Sequence, residues 1–144
     1  MNEDYVSFET AKLLKKKGFD EKCPCSYRKK LVDSKIVDEE ELFVSAHLML
    51  TNSELEDKSY RDIVYCSAPT LQMAMKWIRK KYNAYPVPYA LSLGWAFDIF
   101  DLTKTDITGS KKIYSMDAPL KSDCFDSYEN AAEAAINYYL DNFA

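Results

Sequence analysis

The sequence predicts an α+β fold, one domain over residues 1–144 in which a mainly antiparallel sheet of four to five strands carries three packed helices. Three observations predict it. Apolar residues follow the 3.6-residue period of amphipathic helices in some segments and the two-residue period of strands in others. No internal repeat, low-complexity stretch or interdomain linker divides the chain. At 144 residues with 47% hydrophobic content, the chain is long enough for one core and short for two.

The first element is a helix opening after Ser7, a natural N-cap, with Val6 and Ala11 at the two positions of a hydrophobic staple. Phe8, Ala11 and Leu14, with Leu13 at the margin, form its buried stripe, and Gly18 stands where a left-handed residue ends a helix. Lys15, Lys16 and Lys17 fall in the last turn, where positive charge meets the negative end of the helix dipole. Phe19 is expected to fold back onto the helix.

Cys25–Val32 reads as a strand. Two templates compete after the acidic run Asp38–Glu41. Asp38 and Glu41 have capping-box spacing, whereas Leu42, Val44, Ala46, Leu48 and Leu50 alternate with Phe43, Ser45, His47 and Met49. The unbroken alternation favours a strand over 42–50. Thr51–Arg61 is polar and reads as a loop.

The stretch 62–83 is a short apolar strand, a Ser-Ala-Pro-Thr stop, and then Leu71, Ala74, Met75, Ile78 and Tyr82 at helical spacing with Trp77 beside them. This is the sequence of a core helix, with Trp77 and Ile78 expected against the sheet and Ala135 and Tyr139 alongside. Two apolar strands follow around Gly94. Pro86 and Pro88 remove two backbone donors, so the first of these strands is expected at a sheet edge or pairing only from Ala90 onward. Residues 104–123 read as a polar loop with a short strand at 113–116. The last helix starts at Asp126 or Ser127, with Tyr128, Ala132, Ala135, Ile136, Tyr139 and Phe143 on one apolar face.

The net charge of −4 is unevenly distributed. Residues 1–30 carry eight Lys or Arg against five acids, and residues 31–62 carry three against nine. Residues 63–125 carry eight against five, and residues 126–144 carry four acids and no base. Blocks of alternating sign can pair within one fold. The N-terminus lacks the basic start and apolar stretch of a secretory signal, and no apolar run approaches the ~20 residues that span a bilayer. The expectation is a cytoplasmic protein with four reduced cysteines.

Three blocks carry a resemblance: residues 5–20 (YVSFETAKLLKKKGFD), 67–79 (SAPTLQMAMKWIR) and 127–140 (SYENAAEAAINYYL). In order and spacing they resemble a family of small uncharacterised proteins encoded by gut Bacteroides genomes, prophages and related mobile elements. The resemblance implies that genomic setting and assigns no activity, ligand or catalytic residue.

Chemistry is sparsely signalled. His47 is the only histidine, so a Cys/His hydrolase would have to pair it with Cys66 or Cys25. Cys23, Cys25, Cys66 and His47 make four zinc-type ligands, but the local spacing is Cys-x-Cys and the other two lie on separate elements. With three glycines and no phosphate-cradling loop, no nucleotide site is expected. Arg28-Lys29-Lys30 beside Tyr27, and Arg79-Lys80-Lys81 beside Tyr82, mix basic and aromatic groups as nucleic-acid binders do, while a pI near 5.1 argues against summed phosphate affinity. Eleven tyrosines are more than a small core easily buries, since each buried hydroxyl needs a partner. The sequence therefore predicts a protein-interaction module with no catalytic, cofactor-binding or metal-binding residues; weak nucleic-acid binding through the two basic clusters is the first alternative and hydrolysis through His47 the second.

Overall fold

The computed structural model describes residues 4–45, 48–57, 60, 62–106, 109–116 and 121–144, which fall into two compact units, 1–70 and 71–144. Among the described residues there are six strands in two three-stranded antiparallel sheets, and four α-helices. The expected single sheet is thus two smaller ones.

The first unit contains α1 (Phe8–Lys16), β1 (Cys25–Val32), β2 (Lys35–Val44), α2 (Asn52–Leu55) and β3 (Val64–Ser67). Ser7 caps α1 by accepting from the Thr10 N–H. At the other end the Phe19 N–H reaches the Leu14 carbonyl and the Gly18 N–H reaches that of Lys15, with Gly18 at φ +96°. This pair of bonds is a Schellman cap, and it delivers Phe19 into the interior. Phe8 packs its ring against Tyr27 of β1 and Tyr65 of β3, at 5.4 and 5.1 Å between centroids.

The strands run in the order β2-β1-β3. Here the acidic run corrects the sequence reading: Asp38–Glu41 lies inside β2, and β2 ends at Val44, while Leu50 makes an isolated antiparallel bridge to Cys23, outside the sheet. Ala46 and His47, which the alternation places in the expected strand, lie outside the described residues. The pairing has a simple electrostatic cause. Antiparallel register sets Arg28 opposite Glu41 and Lys29 opposite Glu40, so adjacent charge blocks meet across the hairpin. Nearly every β2 residue is exposed, and a strand with both faces in water has no burial period to read. Asp33 and Ser34 form the two-residue turn, both at positive φ (+49° and +62°), as a type I′ turn requires. Asp33→Asn with Ser34→Gly should therefore raise stability by about 0.5–1 kcal/mol, read as a higher urea midpoint with unchanged slope.

Thr51–Arg61 is likewise not all loop. Thr51 and Glu54 form a reciprocal capping box around the single turn of α2. Asn52 is buried there and bonds the Phe19 carbonyl and the Ser67 N–H, at 2.7 and 2.8 Å.

The second unit contains α3 (Leu71–Tyr82), β4 (Ala84–Leu91), β5 (Gly94–Asp106), β6 (Gly109–Ser115), a 3-10 turn at Lys121–Asp123 and α4 (Tyr128–Asn142). The sheet order is β4-β5-β6, which puts the proline strand at an edge as expected. Pairing begins at Ala84 rather than Ala90. Pro86 and Pro88 are two residues apart, so both nitrogens share one phase of the ladder, and an edge strand leaves that phase open on its outer side. Residues 104–123 hold the second correction: β5 runs to Asp106 and pairs with β6 as far as Gly109, a hairpin of exposed polar residues whose strand character comes from pairing rather than burial.

Ser127, not Asp126, caps α4 by accepting from the Asn130 N–H. Ala131, Ala132, Ala135, Ile136, Tyr139 and Leu140 are buried, while Phe143, expected on that face, is exposed. Most described tyrosines settle half-buried in ring networks: the tilted rings of Tyr114 and Tyr138 lie 4.0 Å apart, and Tyr82 meets the buried Tyr139 at 5.4 Å. Only Tyr85 is strongly exposed among the described tyrosines, because half-burial lets the ring pack while the hydroxyl stays wet. Gly94, at φ +142°, is closely walled in: a β-carbon there would stand 2.9 Å from the Phe125 carbonyl oxygen and from the Cys124 β-carbon. Gly94→Ala should cost about 1–3 kcal/mol in a denaturant melt, the clash adding to the strained φ.

Candidate functional site

The first unit encloses a cavity of about 130 Å³. Its shape comes from how the chain leaves β2. The Ser45 N–H donates to the Pro24 carbonyl at 2.7 Å, and Cys23 and Leu50 exchange both backbone bonds, so the segment after β2 is sewn across the start of β1. Leu50, Leu55, Ile63 and Val64 line the cavity with Cys23 and Cys25. Its lining is apolar apart from a few groups, of which the Arg28 guanidinium is the only charged one among the described residues.

Arg28 lies 3.6 Å from the centroid of the Phe43 ring, a close cation–π stack. Both side chains line the cavity, and Phe43 and Leu48 at its mouth are exposed. Successive strand residues point to opposite faces, so Lys29 turns away from Arg28 and pairs with Asp38 at 3.2 Å. Arg28 and Lys29, neighbours in the basic run, thus face opposite sides of the sheet. In the second unit Arg79, Lys80 and Lys81 occupy the last turn of α3. Arg79 lies 5.2 Å from the Tyr85 ring and Lys81 5.0 Å from that of Trp77.

The cysteines are free thiols, with Cys23, Cys25 and Cys66 buried. Burial pushes the Cys23 thiol up to about 12 and that of Cys66 up to about 11. A nucleophilic cysteine needs the opposite, an electropositive setting that lowers its pKa. His47, the partner a hydrolase would require, lies outside the described residues. Among the described residues no three His, Cys, Asp or Glu side chains converge as metal ligands, and no helix is long and apolar enough to cross a membrane.

Asp20 shows what the polar side chains near this site do instead. It accepts from the Ser53 hydroxyl and N–H, both at 2.7 Å, and these bonds hold its carboxyl below the usual carboxylate range. A depressed folded-state pKa stabilises at neutral pH and loses that contribution as pH falls through it. The group is structural.

Residue spacing did not announce the cavity. Its walls come from positions 23 to 64, and the only local clue is Pro24 between two small apolar cysteines, a poor continuation of a strand ladder. Compared with known proteins, the chain matches no family, no curated sequence and no solved structure.

Proposed function

We propose that this chain is a small accessory protein of a phage or mobile element, acting as a protein-interaction module without catalytic activity. The observation that carries the reading is the pair of exposed apolar side chains that line the cavity, Phe43 near the end of β2 and Leu48 beyond it, in a run that also exposes Leu42, Val44 and Met49. Scattered exposed apolar residues are ordinary on any surface, but Phe43 and Leu48 also line the cavity, and together they make an exposed apolar patch beside it that water disfavours and a partner would cover, whereas Leu42 and Val44 alternate onto the other face of β2. The buried, protonated thiols of Cys23 and Cys66 add nothing catalytic to that patch. The mobile-element setting is supported by the resemblance of residues 5–20, 67–79 and 127–140.

Affinity capture from the native host tests this reading, using the intact chain, Phe43→Ser, and Leu102→Ser as an exposed control in the other unit. The expected result is a specific protein retained by the intact chain and by Leu102→Ser and lost with Phe43→Ser. Equal retention by all three would sink it. Nucleic-acid binding through Arg28-Lys29-Lys30 and Arg79-Lys80-Lys81 is the competing reading. It predicts a sequence-dependent mobility shift that survives physiological salt, whereas the interaction reading predicts none.

A further inference from the structure

The size of the cavity limits what enters it. About 130 Å³ is close to the ~150 Å³ of an apolar cavity that admits benzene, so it accommodates one aromatic ring or branched aliphatic group and is too small for a drug-sized ligand. Arg28 is the one charged residue among the described ones lining it. Stacking on Phe43 fixes the guanidinium plane and leaves the in-plane N–H fork to point elsewhere. Register places Glu41 opposite, yet no ion pair forms with Arg28 among the described residues. The fork is therefore a donor array oriented by its stack and unspent on carboxylate.

We propose that the cavity and Arg28 together bind the C-terminal residue of a partner chain, its apolar side chain filling the cavity and its carboxylate on the Arg28 fork. This inference rests on the interaction-module reading. Charge complementarity selects the anion: a planar carboxylate matches a guanidinium bidentately, while the exposed Glu39, Glu40 and Glu41 of β2 repel a polyanion such as a nucleic acid or a phosphorylated surface. The exposed rim selects a chain over a free small acid. A small acid would fill the hole and leave Phe43 and Leu48 in water, whereas residues preceding a C-terminus would cross and cover them.

The test is a titration of the full chain, followed by amide-resolved NMR, with tetrapeptides Ser-Gly-Ser-X in which X is Phe, Leu or Val, each as free acid and as C-terminal amide. The expected result is resonance shifts around Arg28, Phe43 and Leu55 for at least one free acid, with its amide binding about tenfold or more weakly, the loss of a charge-assisted pair. Arg28→Met, checked for its folded spectrum, should then bind the acid no better than the amide. Equal binding of acid and amide, or no shifts from any free acid at millimolar concentration, overturns the proposal. A captured protein that depends on Phe43 but is retained after deletion of its own last three residues also overturns it, and leaves the interaction reading standing. Absence of any Phe43-dependent partner removes that reading, and this inference with it.

Discussion

Trp77→Ala is expected to lower the unfolding free energy by about 3–5 kcal/mol, the range for deleting a buried aromatic side chain. Trp77 is 7% exposed in the middle of α3, beside fully buried Ile78, and its ring meets Tyr82 edge-on at 5.7 Å. Truncation removes a large apolar area and also the ring against which Lys81 and Tyr82 rest. A domain with a total stability of about 5–15 kcal/mol would lose a large fraction of it. Lys80, exposed on the polar side of the same helix, is the control, and Lys80→Ala should cost under about 0.5 kcal/mol. Urea melts decide the matter: a near-neutral Trp77→Ala would mean the α3 side chains contribute little to the core of the second unit.

Asn52→Ala is expected to cost about 2–4 kcal/mol for a different reason. The side chain buries little apolar area, but its amide donates to the Phe19 carbonyl and its oxygen accepts from the Ser67 N–H. Removing it strands two backbone groups in a buried site, each at about 1–3 kcal/mol. Those groups belong to the cap of α1 and the end of β3, so one side chain on a single helical turn ties both to α2. Neighbouring Ser53 bonds Asp20 at the surface, where water can replace it, and Ser53→Ala should cost under about 1 kcal/mol. If the two variants melt alike, the Asn52 bridge is not what holds these elements.

Where a segment carries its own signal, sequence and structure agree. Ser7 and Gly18 bound α1, the 3.6-residue stripe from Leu71 to Tyr82 is α3, and Ser127 with the alanines after it is α4. β1 spans the residues expected of it, and Pro86 and Pro88 lie on an edge strand. α2 was read as loop: Thr51 and Glu54 have the capping-box spacing that could have signalled it, but a single turn with one buried leucine leaves no period to detect.

By itself the sequence determined α1, α3 and α4, the cap of α1, and β1, because those depend on residues close together in the chain. Only the tertiary structure decided that Asp38–Glu41 is a strand, that residues 104–106 and 109–115 lie in paired strands, and that Arg28 lines an apolar cavity. An exposed strand takes its conformation from its partner, which for β2 is the basic run of β1. A cavity lined from Cys23 to Val64 exists only once the chain has folded back on itself, and no local pattern encodes that closure.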